Sequence, residues 1–225
     1  MAIDEQTSGS GDPDVANGLN DLALLYDDQG RFAEAEPLFK RSLTITENAD
    51  GSDSNEFATI LNNLALLYDD QAKYAKAEPM YKHSLAIWEK TLGPDHPAVA
   101  AGHNNLGTMY YKEGHYQEAE AQYKRALAIS EKTLAPNHLD IAEPIDNLAQ
   151  LYCKEGKYVQ AEPLLKRSLE MRQKALGPNH PKVAKTLRVY AEVLRKTYRA
   201  TEAKKFEERA DAILARSGLK PGAPL

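Results

Sequence analysis

From Glu56 to Gln71 the apolar positions are Phe57, Ile60, Leu61, Leu64, Ala65, Leu67 and Tyr68, separated by threes and fours. That spacing predicts an amphipathic helix with one face turned to a core. After a break at Gln71-Ala72-Lys73, a second helical pattern runs from Tyr74 to Thr91, carrying Ala77, Met80, Tyr81, Leu85, Ile87 and Trp88. The same pair of patterns recurs every 42 residues. Leu22, Leu64, Leu106 and Leu148 keep that step, as do Tyr26, Tyr68, Tyr110 and Tyr152, and Ala35, Ala77, Ala119, Ala161 and Ala203. A fixed period of this length predicts a stacked array, because one helix pair cannot bury its apolar face alone.

Polar punctuation keeps the same register. The mid-repeat break is Gly30, Gly114 or Gly156 in three other units, the residue that most readily closes a helix in the left-handed conformation. Pro37, Pro79 and Pro163 are expected early in the second helix, where a missing donor is least costly. Glu36/Lys40, Glu78/Lys82, Glu120/Lys124 and Glu162/Lys166 form i,i+4 pairs that each support the helix by about 0.2–0.5 kcal/mol. Connectors such as Leu92-Gly-Pro-Asp-His-Pro97 end one repeat and start the next, with Asp95, Asn137 and Asn179 expected as N-caps.

The expected organisation is a flexible tail at 1–13, an array at 14–216 and a second tail at 217–225. Its units fall at 14–53, 54–95, 96–137, 138–179 and 180–216. The last unit reads as a cap, since Glu207 and Asp211 stand where repeat four has Leu165 and Leu169. No polar helix precedes Asp14, so the first repeat is expected to be uncapped, and the chain could be part of something longer.

Composition narrows the function. No run of 18 or more apolar residues occurs, so no membrane span or membrane partner is expected. No secretory signal is read at the start, and one cysteine, Cys153, fits a reducing compartment, so the expected location is cytoplasmic. The net charge of −5 hides a gradient: residues 1–54 carry 12 acidic and 3 basic side chains, whereas residues 176–225 carry 5 and 11. Opposite signs at the two ends argue against a nucleic-acid partner, which needs one dominant positive face.

Leu-Ala/Gly-x-x-Tyr in the first helix and Tyr-x-x-Ala-Glu opening the second resemble tetratricopeptide repeats. The 42-residue version, with Asn62-Asn-Leu-Ala-Leu-Leu-Tyr68 and Leu92-Gly-Pro-Asp-His-Pro97, resembles the repeat domain of kinesin light chains and their prokaryotic relatives. The resemblance spans roughly residues 14–216. It implies an all-α fold, a right-handed α-solenoid of antiparallel helix pairs, whose groove, lined by the first helices, binds extended peptides. No heptad segment accompanies it, so motor attachment is not implied.

That geometry would put Asp21, Asn63, Asn105 and Asn147 in the groove, with Asn20, Asn62, Asn104 and Asp146 beside them. An asparagine amide offers donor and acceptor together, so a ladder of them can pair with a peptide backbone in either direction. The competing reading is that these amides only bond neighbouring helices. Lys112, Lys154 and Arg188 would then attract acidic residues of the ligand near repeats three to five, while Asp27, Asp28, Asp69 and Asp70 would favour basic or neutral ones near repeats one and two. The expected partner is a protein with an extended segment. The alternatives are end-to-end self-assembly through the uncapped first repeat, giving a homo-oligomer, and a regulatory portion of a larger protein.

Catalytic chemistry is not expected. His96, His138 and His180 occur one per connector, and stacked repeats hold equivalent atoms about 10 Å apart, too far to share one metal. His83, His103 and His115 lack ligand spacing, and Cys153 has no evident base. No metal, cofactor or catalytic residue is therefore assigned. Trp88 stands alone in its register, where Thr46, Ser130 and Arg172 take its place, and reads as local packing.

Overall fold

The computed structural model describes residues 12–218, and every helix and strand position among them is helical. The elements are α1 (Pro13–Asp28), α2 (Phe32–Asp50), α3 (Asn55–Asp70), α4 (Tyr74–Thr91), α5 (Pro97–Glu113) and α6 (Tyr116–Thr133). A single 3₁₀ turn, Leu139–Ile141, then leads into α7 (Ala142–Lys154), followed by α8 (Tyr158–Leu176), α9 (Pro181–Lys196) and α10 (Ala200–Arg216). The expected tails lie mostly outside the described residues; of the first, Asp12 and Pro13 already cap and open α1.

The chain divides into two compact units, Met1–His115 and Tyr116–Leu225, with α5 in the first and α6 in the second. In the first unit each helix packs on the next, and the odd-numbered helices α1, α3 and α5 also stand side by side. Leu19, Phe39, Leu64, Leu67, Tyr81 and Met109 are its largest wholly buried side chains. The second unit repeats the plan from α6 to α10, with α7 beside α9, around Ile129, Ile141, Ile145, Leu151, Leu165 and Met171. No helix among the described residues is long and apolar enough to cross a membrane.

The caps differ from the expected ones in an instructive way. His96, His138 and His180, not the Asp or Asn before them, are the N-caps. Each Nδ1 accepts from the backbone N–H two residues on, at 3.1, 3.3 and 3.2 Å. The ring reaches forward over the first turn with a lone pair where Ser or Asp would offer an oxygen. The 42-residue recurrence of histidine is thereby explained without a metal. The connector that leads from repeat three into repeat four lacks the glycine: Gly93 and Gly177 sit at φ 90° and 85°, but Ala135 takes their place. The left-handed residue moves to Asn137 (φ 67°), Leu139 replaces the helix-opening proline, and α7 begins through the 3₁₀ turn.

The prolines also sit deeper than expected. Pro37, Pro79 and Pro163 are each the sixth residue of their helix, beyond the four amides that have no helical partner. Each therefore forfeits one hydrogen bond, and tertiary packing has to hold the helix through that gap.

Candidate functional site

The asparagine doublets fall on the middle of the first helices, where α1, α3 and α5 lie next to one another. Asn62 and Asn104 are buried, whereas Asn63 and Asn105 are half-buried. The second amide of each doublet donates backwards to the first amide of the preceding repeat: Asn63 Nδ2 to Asn20 Oδ1 at 3.0 Å, and Asn105 Nδ2 to Asn62 Oδ1 at 3.3 Å. Asn20 in turn donates to Asp21 at 3.4 Å. The ladder thus bonds helix to helix. Each such bond uses one N–H of the donor amide; the second N–H and the carbonyl lone pairs of Asn63 and Asn105 are chemically able to pair with a backbone.

In the second unit the register changes chemistry. Asp146, equivalent to Asn62 and Asn104, is buried and receives two bonds from Arg172, Nε at 3.0 Å and Nη2 at 2.7 Å, plus a longer one from Thr186 at 3.4 Å. Both side chains are about nine-tenths buried, at 9% and 10% exposure, and Asp146 Oδ1 has no partner. The pair forms the floor of a cleft of about 350 Å³ whose walls are Glu143, Asn147, Gln150, Lys182 and Lys185. Asn147 is half-buried at its edge.

The three cations expected to greet an acidic ligand have different fates. Lys112 is committed to the preceding repeat: its Nζ lies 2.9 Å from Asp69 Oδ2 and 3.0 Å from Asp70 Oδ1. Burial alone would lower the Lys112 pKa, but these two carboxylates outweigh it and raise it. At Asp69 burial wins over Lys112, and the carboxyl is pushed upward. Arg188 bonds Asp211 at 2.9 Å, and Arg195 bonds Glu207, so the polar residues of the last helix neutralise cations of α9. Lys154 is exposed.

A second device joins consecutive repeats. Tyr68, Tyr110 and Tyr152 donate to Glu36, Glu78 and Glu120 of the repeat before, at 2.8, 2.7 and 2.9 Å. Each of those glutamates also holds the lysine four residues on, which lowers its pKa. Repeat five has Leu194 in this register. Tyr190, one turn earlier, reaches Glu162 at 3.2 Å instead, and Arg199 joins it at 2.5 Å. The recurring glutamate therefore ties repeats together as well as supporting its own helix.

Cys153 is buried, and its thiol is pushed up to about 11 by burial and then by the charge of Glu192, which keeps it protonated near neutral pH. Among the described residues no group of three or more His, Cys, Asp or Glu is placed to hold a metal ion. The Asp146–Arg172 pair was not foreseen. Its signal was present: an acid enters the Asn register in the same repeat where an arginine enters the Trp88 register, 26 residues further on in both cases.

The profile of the tetratricopeptide repeat matches residues 56–132 and 136–215, and a second profile of the same description matches residues 15–56. A crystal structure of a Podosopora anserina protein assigned as a kinesin light chain, with nearly identical TPR-like repeats, is 25% identical; 92% of this chain and 98% of that one align, with a TM-score of 0.76. BtubC (BKLC) from P. vanneervenii superposes with a TM-score of 0.82 at 23% identity over 100% and 89% of the two chains. PilF of Pseudomonas aeruginosa gives 0.67 at 22% identity over 88% and 76%. These last two are likenesses of fold. No curated protein sequence matches the chain.

Proposed function

Because the chain belongs to the tetratricopeptide repeat family, whose fold generally mediates protein–protein interaction, we propose that it is an adaptor that binds an extended segment of a partner protein across its first helices. The supporting observation is the lateral bonding of the asparagines. Asn63 and Asn105 are held in fixed orientation by the repeat before them, so little side-chain freedom is lost when they meet a ligand. A preoriented amide per repeat suits an extended backbone, and tolerates many sequences because it reads main chain. In the second unit Asn147, Lys182 and Lys185 around the Asp146–Arg172 floor provide the corresponding surface, with positive charge for an acidic ligand residue.

The test is a peptide-array screen on the intact chain, followed by Asn63→Ala, Asn105→Ala and Asn147→Ala combined. Binders are expected to weaken at least about ten-fold, since each amide contact is worth about 0.5–1.5 kcal/mol. Unchanged affinity in the triple variant, with the helical fold intact by circular dichroism, would sink the proposal.

A further inference from the structure

The repeats supply their own template for one ligand group. At the ends of α3 and α5, Lys112 Nζ bridges the consecutive carboxylates Asp69 and Asp70 of the repeat before it. One repeat earlier the same two register positions are Asp27 and Asp28, but the residue equivalent to Lys112 is Asp70. A carboxylate thus stands where the next repeat places an ammonium. Asp27 Oδ1 is buried and without a hydrogen-bond partner, and so is Asp69 Oδ1 on a side chain only 1% exposed. Tyr81, wholly buried at 0% exposure, carries an unpartnered hydroxyl within the field of Asp69, Asp70 and Asp27.

We infer that Asp27 and Asp28, backed by Asp70 and the Tyr81 hydroxyl, form an acceptor site for a lysine ammonium of the bound partner. This rests on the partner lying across the first helices. The chemistry is that of Lys112 in the neighbouring repeat: one ammonium with three donors satisfies two carboxylate oxygens and relieves the repulsion between them. Asp28 is exposed and Asp27 half-buried, so the site opens to the surface at its Asp28 side. The charges that act on Asp27 are Asp70 on α3 and Asp28 on α1, and the Tyr81 hydroxyl on α4 feels the Asp27 charge in turn. Arg31, at the start of α2, is the nearest cation along the chain. Arg31 is engaged with Glu34 and stacked on Tyr26. Burial, with Asp70 and Asp28, pushes the Asp27 carboxyl up to about 6. An ammonium bound there would pull it down, so lysine binding strengthens as pH rises through about 6.

Two capped nonapeptides of alanine and serine, one with a central lysine and one with norleucine in its place, test this by NMR on the full chain. Nα-acetyl-lysine N-methylamide serves as a third probe, too short to span the ladder. The lysine peptide should bind about five-fold tighter than its twin, as expected for one partly exposed ion pair. It should also move the Asp27 carboxyl resonance saturably, as should the short lysine derivative. The lysine preference should vanish in Asp27→Asn, and both effects should vanish in Asp70→Lys, which installs the internal ammonium and lowers the Asp27 pKa by itself. Equal affinity of the twins, or an Asp27 resonance indifferent to the short derivative, overturns the inference. If the derivative moves Asp27 while neither peptide moves the Asn63 and Asn105 amide signals, the ladder reading fails and the ammonium site stands.

Discussion

Repeats two and four share one backbone plan and solve the same packing problem with opposite chemistry. In repeat two the register pair is Asn62 and Trp88; in repeat four it is Asp146 and Arg172. Asn62 accepts from the next repeat, so its polarity is passed along the array, while Trp88 fills space against Gly102. Asp146 instead turns to Arg172 in its own helix pair and spends its charge there. The neutral version bonds only to its neighbour, whereas the ionic version adds a pair within its own repeat and keeps a bond of 3.4 Å from Thr186 of the next.

The comparison can be broken first at its ionic end. Arg172→Ala leaves a buried carboxylate without its partner and should destabilise the second unit by about 3–5 kcal/mol. Asp146→Asn combined with Arg172→Leu should recover most of that loss in urea unfolding. A single variant as stable as wild type would show that the pair holds nothing.

At the neutral end, a Cβ on Gly102 would meet Leu85 Cδ2 at 2.7 Å and Trp88 Cζ3 at 3.2 Å. Gly102→Ala should cost about 1–3 kcal/mol by overpacking, and much of it should disappear in a Leu85→Ala background, since Leu85 makes the two shortest contacts. Persistence of the full cost there would locate the clash elsewhere.

The mid-repeat turn gives a smaller contrast. Repeat four closes its first helix with Gly156 at φ 74°, while repeat two uses Ala72 at φ 55°. Ala72→Gly should raise stability by about 0.5–1 kcal/mol, and Gly156→Ala should lower it by a similar amount. Denaturation midpoints for both variants check the sign.

A further contrast concerns proton binding. Asp27 keeps its proton up to about pH 6 in the folded chain, against an ordinary value of 3.8. The folded state thus holds more protons across that window, so this group's contribution to stability declines as pH rises from 3.8 through about 6. Asp27→Asn should flatten that slope in a pH series of melts. Cys153, the corresponding residue of repeat four, is silent there because its thiol titrates near 11.

Much of the scaffold was legible beforehand. The helix expected from Tyr74 to Thr91 has those bounds, and the one expected at Glu56–Gln71 lies at Asn55–Asp70, because threes and fours in apolar spacing leave little freedom. The caps were misassigned because Asp and Asn outrank His by general preference, and only the loop's path shows which side chain faces the free amides. The depth of Pro79 could be counted from the expected start at Tyr74; what the sequence did not show is the packing that holds the helix through the missing bond. Lys112 and Arg188 were legible as cations at their positions, but their carboxylate partners lie 42 or 43 and 23 residues away.

By itself, the sequence determined the family, the 42-residue step, the helix pairs and the residues that fill the core. Those follow from local periodicity and from identical spacing in successive repeats. Only the tertiary structure decided which polar atoms are already satisfied: that Asn63 leans on Asn20, that Lys112 answers Asp69 and Asp70, and that Asp27 has a buried oxygen with no partner. Hydrogen bonds between repeats depend on distances of a few ångströms across separate helices, and a one-dimensional register fixes neighbours without fixing those distances.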